Sequence, residues 1–306
     1  MHTTSALLMV RPSSFAYNTQ TAASNAFQQE LQELTPEQIR LNALAEFDKF
    51  VALLRAKGIQ VLVIDDTQAP EKPDAIFPNN WITMHQNGTI ALYPMHAPNR
   101  RMERRQDILD LLKQHYQVNH LIDFSLFEKE DKFLEGTGSI ILDHENQFAY
   151  ACISPRTDLV LLHIFCDTFK YKPIAFHAYD QHSVLIYHTN VMLCIGSQFA
   201  VICSEAIHDP EERRLVLDNL SRTGHELVEI TLDQLSRFAG NMLQVHNHEG
   251  KHFLIMSEQA YKALNPKQIE NIEKYTEILA TPLYTIEHIG GGSARCMLAE
   301  IFLPKK

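Results

Sequence analysis

The sequence predicts an α/β fold in which five similar units form a pseudo-symmetric propeller, as a single domain over residues 1–306. Two observations support this prediction. One pattern, a polar or glycine-rich start followed by an apolar strand, a polar turn and a second apolar strand, occurs four times. A partial fifth copy ends the chain, and the copies follow one another at a nearly constant spacing.

The repeat is visible in the letters of the sequence. The complete copies are FPNNWITMHQNGTIALYP, LEGTGSIILDHENQFAYACIS, HTNVMLCIGSQFAVICSE and AGNMLQVHNHEGKHFLIMS, and the partial copy is GGGSARCMLAEIF. One residue at the start of each first strand gives the series Asn80, Glu135, Asn190, Asn241 and Cys296, with spacings of 55, 55, 51 and 55 residues. Units of this length with a hairpin and a helix are typical of propeller blades, and five of them would close a ring.

The two ends of the chain are predicted to complete one blade. The last strand pair needs a partner, which the N-terminal ALLMVRP segment would supply, and this pairing would remove an exposed sheet edge. The segment PEQIRLNALAEFDKFVALLRA has apolar residues at helical spacing and is followed by Gly58, a stop signal, and then by IQVLVID, a predicted strand. The alternative is an ordinary α/β sandwich in which the hairpins are similar by accident.

Composition excludes several functional classes. The 306 residues are 45% hydrophobic and carry a formal net charge of −10 with scattered Lys and Arg, so a nucleic-acid partner is not expected. The apolar stretch near the N-terminus is only about five residues long, and no run approaches the roughly 18 apolar residues of a membrane span. We therefore expect a cytoplasmic protein without a membrane partner that binds a small molecule. A homo-oligomer is compatible with the sequence.

One of the five cysteines stands apart. No two of them form a CxxC pair, so neither disulfides nor a structural zinc site is expected. Cys152, Cys166, Cys194 and Cys203 lie in segments that read as apolar strands, which is typical of packed thiols. Cys296 instead follows three consecutive glycines, which let the backbone pass close to a ligand. We predict that Cys296 is a nucleophile.

A cysteine nucleophile needs a group that transfers protons, and His188 is the histidine at the start of a repeat. It precedes Asn190 by two residues, so both side chains point to the same side of an extended segment. Glu135 holds the corresponding place one repeat earlier, where a carboxylate can orient the imidazole or accept hydrogen bonds from a substrate. Packing for His188 and solvent exposure for Glu135 are the alternatives.

These segments together resemble the guanidino-group-modifying enzymes, which include arginine deiminases, dimethylarginine dimethylaminohydrolases, agmatine deiminases and amidinotransferases. GGGSARCM is similar to the nucleophile motif, LEGTGS to the carboxylate motif and HTN to the histidine segment. VRPSSFAYN and PDAIFPNNW also fit, so the resemblance covers nearly the whole chain. It implies a five-bladed α/β propeller, known as a pentein, with a Cys, His and Glu site and neither cofactor nor metal.

The same resemblance implies that two arginines bind the substrate. SPRT is similar to the family's arginine motif and APNRRMERR to the arginine-containing loop of the dimethylarginine enzymes. Arg156 and Arg101 are therefore expected to hold a substrate carboxylate through paired N–H donors. Exposure on the surface is the alternative for both.

Two positions depart from the arginine deiminase pattern. Asn80 and Asn190 stand where those enzymes have aspartates that grip the guanidinium. A guanidinium presents only N–H donors, whereas an Asn amide offers a donor and an acceptor, which match a neutral ureido group. The expected reaction is hydrolysis of citrulline to ornithine, carbon dioxide and ammonia, as in the citrulline-utilisation branch. Asp74 lies near Asn80 and could still supply a carboxylate for arginine.

In the expected mechanism the Cys296 thiolate attacks the ureido carbon while His188 protonates the departing nitrogen and later activates water. A cationic His188 would favour the thiolate. The alternatives are deimination of arginine, hydrolysis of dimethylarginine, amidinotransfer to an amine, a non-catalytic amino-acid-binding protein, and a zinc enzyme built on His246, His248 and His252. The stretch TQAPEKPDA is the candidate for a flap over the site.

Overall fold

The structure is a computed structural model that describes residues 2–30 and 33–306. The described residues form five three-stranded sheets of one topology. In each sheet the first strand pairs antiparallel with the second, and the second pairs parallel with the third. At least one helix connects the second strand to the third. This arrangement confirms the predicted five-bladed α/β propeller.

The strands are numbered in chain order. The sheet that joins the two chain ends contains β1 (Ala6–Arg11), β2 (Gln60–Asp65) and β15 (Ala299–Glu300). The other sheets contain β3 (Ile82–Met84), β4 (Thr89–Leu92) and β5 (His120–Asp123); β6 (Ile141–Asp143), β7 (Phe148–Cys152) and β8 (Lys172–Phe176); β9 (Leu193–Ile195), β10 (Phe199–Ile202) and β11 (Glu226–Glu229); and β12 (Leu243–His246), β13 (His252–Ser257) and β14 (Glu277–Thr281).

The helices lie mainly between the second and third strands of each sheet. They are α1 (Thr19–Ala22), α2 (Pro36–Ala56), α3 (Gln106–His115), α4 (Gly136–Ser139), α5 (Leu159–Phe169), α6 (Pro210–Arg222), α7 (Leu232–Ser236), α8 (Glu258–Ala263), α9 (Pro266–Glu273) and α10 (Tyr284–Gly290). None of these helices, within the described ranges, is long and apolar enough to span a membrane.

The chain ends meet in one sheet, as predicted. Strand β1 pairs antiparallel with β15, where Leu7 faces Glu300 and Leu8 faces Ala299, and it pairs parallel with β2 along its whole length. The N-terminal strand therefore occupies the centre of a blade whose inner strand comes from the C-terminus. This pairing closes the ring because it ties the first blade to the last segment of the chain.

Local signals explain the helix and strand predicted after β1. Thr35 and Gln38 form a capping box at the start of α2, and Pro36 occupies its first turn. Gly58 follows the helix with φ 78°, a left-handed conformation that suits glycine, and β2 begins two residues later. The outer strands of the other four blades were not predicted from the sequence. They are short and carry partly exposed side chains, as in β5, so their apolar pattern is weak.

The apolar core fills the spaces between neighbouring sheets. Each of its four clusters contains buried residues from at least two adjacent blades. Cys152, Cys194 and Cys203 belong to the largest cluster and lie in or next to strands, as expected. The prediction of a strand position for Cys166 is wrong, because this residue lies in α5, where helical spacing turns it inward against other apolar side chains.

Candidate active site

The inner strand of every blade is preceded by a short turn that carries one residue of the repeat series. Asn80 ends the 3₁₀ turn Pro78–Asn80, Asn190 lies in Thr189–Val191, and Cys296 lies in Ala294–Met297. Glu135 caps α4, and Asn241 precedes β12. All five side chains are buried. The equal spacing in the sequence therefore corresponds to equivalent positions around the ring.

Two amides hold the thiol of Cys296. The Nδ2 atoms of Asn190 and Asn241 each lie 3.3 Å from Cys296 Sγ and donate to it. Asn241 is itself oriented, because its Oδ1 accepts the N–H of Arg295 at 3.0 Å and its Nδ2 also donates to the backbone oxygen of Asn190. Two N–H donors aimed at sulphur stabilise negative charge there, which is what a nucleophilic thiolate requires.

The other four cysteines are thiols packed in the apolar core. Burial raises the pKa of Cys152, Cys166, Cys194 and Cys203 to about 12 in each case. These thiols stay protonated at neutral pH and act as small apolar side chains.

The glycines before Cys296 meet a steric need at Gly291. This residue has φ 61°, and a Cβ there would lie 2.8 Å from the backbone nitrogen of Gln28. A side chain at this position would push away the segment that covers the cavity. The glycine run thus allows two backbone segments to touch beside the nucleophile.

His188 and Glu135 form a buried pair. His188 Nε2 lies 2.8 Å from Glu135 Oε2, so the ionised carboxylate accepts the Nε2 proton and leaves Nδ1 as the free ring nitrogen. Burial lowers the pKa of His188 to about 4, although Glu135 opposes this shift. Desolvation of the imidazolium outweighs the effect of its carboxylate partner, so the free site favours a neutral His188, in contrast to the cationic form expected from the sequence.

Glu135 is anionic. Its complete burial raises the pKa, but Arg156, the hydrogen bond from His188 and Arg100 together hold the pKa of Glu135 well below its usual range. Its other oxygen, Oε1, accepts the backbone N–H of His96 at 2.9 Å. With both oxygens engaged, the carboxylate is fixed in the orientation that aligns the imidazole.

The second glycine of the LEGTGS motif, Gly138, leaves room for the imidazole of His188. A Cβ at this position would lie 2.7 Å from His188 Nδ1 and 2.5 Å from Asn80 Nδ2. Any side chain would therefore displace the free edge of the imidazole. The motif supplies a carboxylate and clears space for the histidine that the carboxylate orients.

Two buried arginines line the same cavity. The Nη1 atom of Arg156 lies 3.6 Å from Glu135 Oε2, and its guanidinium stacks 4.8 Å from the ring centre of Tyr187. Arg100 donates from Nη1 to Asn80 Oδ1 at 2.8 Å and pairs with Glu103 through Nε and Nη2. Both arginines, with Asn80, His188 and Cys296, line one cavity.

The structure places Arg100, and not the predicted Arg101, in this cavity. The side chain of Arg100 is 3% exposed, whereas that of Arg101 is 32% exposed and turns to Met95 O and Glu128. Both lie in the 3₁₀ segment Pro98–Glu103, in which residues three apart share a face. Glu103 stands three residues after Arg100, so this opposite-charge pair was the sequence signal for the inward-facing arginine.

Two buried acceptors make no hydrogen bond among the described residues, one on Asp74, which lines the cavity, and one on Asn190, whose amide contacts Cys296. Asp74 accepts from Asn18 Nδ2 at 2.7 Å through Oδ2, but its Oδ1 has no partner among the described residues. Asn190 Oδ1 is likewise buried and unpaired within the part of the chain that the structure describes. Because a buried unpaired acceptor is costly, both oxygens are suited to receive N–H groups of a ligand.

Residues 18–29 cover the cavity. Asn18 holds Asp74, Thr21 and Ser24 accept from Arg156, and Asn25 donates to Gly291 O at 3.3 Å. The stretch TQAPEKPDA, for which a flap was predicted, is instead tied down by Lys72. The Lys72 ammonium donates to Thr67 and Pro70 and pairs with Asp66 at 3.2 Å. No sequence motif predicted the covering role of residues 18–29.

The three histidines of the zinc alternative do not converge. His246 and His252 stack across β12 and β13 with ring centres 6.0 Å apart, and His248 contacts the backbone oxygen of Gly58. In residues 2–30 and 33–306 no group of three or more His, Cys, Asp or Glu side chains has a geometry that could hold a metal ion.

Comparison with known proteins adds the following findings. Residues 11–303 match the sequence profile of N,N-dimethylarginine dimethylhydrolase, eukaryotic. A search of curated proteins gave no match. The fold is similar to that of the substrate-bound N-terminal domain of ArgZ, an arginine dihydrolase from cyanobacteria, with a TM-score of 0.75 and 15% identity over 98% of both chains.

Two further structures are similar. AgrE in complex with L-arginine has a TM-score of 0.76 at 15% identity, over 98% of this chain and 40% of AgrE. A dimethylarginine dimethylaminohydrolase variant with an S-methyl-L-thiocitrulline adduct has a TM-score of 0.64 at 12% identity, over 96% of this chain and 98% of the other. At these identities the similarity establishes the fold.

Proposed function

Because the chain belongs to the N,N-dimethylarginine dimethylhydrolase family, whose profile it matches over residues 11–303, we propose that it hydrolyses the ureido group of citrulline through a covalent intermediate on Cys296. The family is one of guanidino-group-modifying hydrolases, which act on carbon–nitrogen bonds other than peptide bonds. The substrate and the roles of the individual residues are the proposed part.

The observation that carries the proposal is the set of groups around the thiol. Cys296 Sγ is in hydrogen-bonding contact with the amides of Asn190 and Asn241, and Asn190 Oδ1 is a free acceptor. Glu135 is occupied by His188 and by the N–H of His96. A ureido group offers N–H donors and a carbonyl acceptor, which suits amides, whereas a guanidinium requires free carboxylates.

The charged groups suit the other end of an amino acid. An α-carboxylate would bind the guanidinium groups of Arg100 and Arg156 in place of their present contacts to Asn80 and to Thr21 and Ser24. Asp74 Oδ1 supplies an acceptor for an α-ammonium group. A zwitterionic head with a neutral reactive tail would leave each of these buried groups paired. Citrulline has this charge distribution.

The first chemical step forms a bond from sulphur to the ureido carbon. Neutral His188, whose pKa is lowered to about 4, takes the thiol proton, and the Asn190 and Asn241 amides stabilise the thiolate. The imidazolium is held by Glu135 and gives its proton to the terminal nitrogen, which leaves as ammonia. The product of this step is an S-carbamoyl cysteine that carries the ornithine side chain on its nitrogen.

Water resolves the intermediate. His188, neutral again, accepts a proton from water, which attacks the carbonyl carbon of the S-carbamoyl cysteine and releases the Cys296 thiolate. The resulting carbamate of ornithine loses carbon dioxide. The overall products are ornithine, carbon dioxide and ammonia in equal amounts.

Arginine is the second candidate substrate. The free Oδ1 of Asp74 favours it, because a buried unpaired carboxylate oxygen can accept a guanidinium N–H. ArgZ, to which the fold is similar, is described as an arginine dihydrolase. Hydrolysis of arginine at this site would proceed through the same sulphur–carbon bond.

The test is a substrate panel of citrulline, arginine, dimethylarginine and agmatine, with ornithine, ammonia and citrulline measured as products. We expect citrulline to give ornithine and ammonia in a ratio of one to one, and agmatine, which lacks the carboxylate, to react poorly. Citrulline accumulating from arginine, with no use of citrulline itself, would overturn the proposed substrate. Full activity in Cys296→Ser would overturn the mechanism.

A further inference from the structure

A second cavity lies beside the covering segment and outside the catalytic cavity. It has a volume of about 320 Å³ and is enclosed by residues 26–29, residues 180–182, α7 and the C-terminal half of α10. This volume lies within the range of pockets that hold small molecules. The two cavities share no lining residue among those described.

The walls of this cavity combine an apolar surface with two carboxylates. Phe27, Leu235 and Phe238 form its apolar part, and Asp180 and Glu287 are its acids. Two histidines, His182 and His288, also line it, and neither lysine nor arginine is present among the described lining residues. When these imidazoles are neutral, such a wall attracts a cation and repels an anion.

Glu287 has an unused acceptor in this cavity. The residue is 2% exposed, and its Oε1 accepts the hydroxyl proton of Ser293 at 2.6 Å. Its Oε2 is buried and makes no hydrogen bond of ordinary length within the described chain. Burial raises the pKa of Glu287 to about 7, although the hydroxyl groups of Ser257 and Ser293 oppose this shift, and a cation placed beside the carboxyl would favour its ionised form.

We propose that this cavity is a second binding site, for a small organic cation with an apolar stem, such as a primary ammonium or a guanidinium compound. The cationic head lies against Glu287 Oε2 and Asp180, and the stem packs on Phe27, Leu235 and Phe238.

The site adjoins the elements that hold the nucleophile. Gln29 donates its backbone N–H to His288 O at 2.8 Å, which joins the covering segment to α10. Ser293, the partner of Glu287, accepts the backbone N–H of Cys296 at 3.0 Å through its own carbonyl oxygen. A ligand in the second site therefore contacts both the cover of the active site and the support of its catalytic turn.

The probe for this site is n-butylammonium, with n-butanol as the uncharged compound of equal size. Titration calorimetry on Cys296→Ala protein saturated with citrulline keeps the catalytic cavity occupied and inactive. We expect one saturable site per chain, n-butanol binding weaker by at least about tenfold, and a similar loss in Asp180→Asn and in Glu287→Gln. Asp233→Asn is the matched control, because Asp233 is an exposed acid on α7, a helix that borders the cavity, but does not itself line the cavity.

Three results would overturn the proposal. They are competition between n-butylammonium and citrulline for one site, equal affinity for n-butanol and n-butylammonium, and an equal loss in Asp233→Asn and Asp180→Asn. The first assigns the probe to the catalytic cavity, the second reduces the site to an apolar space, and the third reduces it to diffuse surface charge. Asp180→Asn keeps the test valid if Glu287→Gln disturbs the turn before Cys296.

Discussion

The catalytic cavity has two sets of polar groups that differ in charge. The contacts to Cys296 Sγ are neutral amides from Asn190 and Asn241, which we call the amide end. Arg100, Arg156 and Asp74 are charged and buried, and we call them the charged end. The two arginines already face the carboxylates of Glu103 and Glu135, so a ligand at the charged end must bring both signs of charge to replace the contacts that it displaces, whereas the amide end offers contacts to a neutral group.

Under the proposed function, the charged end would bind the amino-acid head that citrulline and arginine have in common. The amide end would bind the reactive tail, in which the two substrates differ. Changes at the charged end are therefore expected to weaken binding of both substrates, and changes at the amide end to alter the choice between them.

The largest effect is expected for removal of the thiol. Cys296→Ala leaves no nucleophile, and turnover of citrulline should fall by about 10⁴-fold or more, measured as ornithine release. Cys203→Ala is the matched control, since it removes a buried thiol with no contact to the cavity. Cys203→Ala should lower the melting temperature and leave kcat of the folded protein within about twofold. Comparable losses of kcat in the two variants would contradict the assignment of the nucleophile.

A smaller loss is expected for Arg100→Ala at the charged end. Removal of one guanidinium from a paired carboxylate site should lower kcat/KM by about 10²-fold, and it leaves the buried Glu103 without its partner, which costs about 3–5 kcal/mol of folding stability. Arg101→Ala is the control, because the side chain of Arg101 turns to Met95 O and Glu128. Its kcat/KM should stay within about threefold. Equal losses of kcat/KM in the two variants would mean that Arg101 also takes part in the site.

Arg100 and Arg101 also show which feature of the site the sequence pattern does not determine, namely the direction of a side chain. The repeat spacing placed Cys296, Glu135 and Asn190 at equivalent turns because the period belongs to the backbone of the ring. The direction of a side chain within a 3₁₀ segment depends on its neighbours, and there the prediction selected the wrong arginine.

The covering segment was not predicted for a different reason. Residues 18–29 make long-range contacts through small polar side chains such as Asn18, Thr21 and Ser24, which have no periodicity that a sequence could display. The outer strands escaped prediction for a related reason, because they are short and half exposed. Contacts of this kind become visible only when the ring brings distant segments together.

Asn190→Asp tests the amide end. The new carboxylate would place an acceptor-only group beside the sulphur, so it should favour a guanidinium over a ureido group and raise the ratio of kcat/KM for arginine to that for citrulline by about tenfold or more. Asn241→Asp is the matched control, since its Oδ1 stays bound to the N–H of Arg295, and the oxygen that replaces Nδ2 faces Cys296 Sγ and the backbone oxygen of Asn190, so the change removes a donor from the sulphur. That variant should slow both substrates without changing the ratio. A ratio that falls in Asn190→Asp would remove the argument for a neutral substrate.

The smallest expected effect is the change of the reaction rate with pH that is due to His188. The catalytic form of His188 is neutral, and its pKa is lowered to about 4 by burial, against the opposing effect of Glu135. An ordinary histidine would lose about tenfold of its neutral form between pH 6.5 and pH 5, whereas His188 should lose less than about twofold. Single-turnover rates at saturating citrulline, measured over this range, should therefore change little on account of His188. A tenfold fall in wild-type protein that is absent from Glu135→Gln would mean that the carboxylate outweighs burial and that His188 is cationic near neutral pH, as the sequence had suggested. In that case the two amides on sulphur would share the stabilisation of the thiolate with an adjacent positive charge, and the neutral character of the reactive end would be lost.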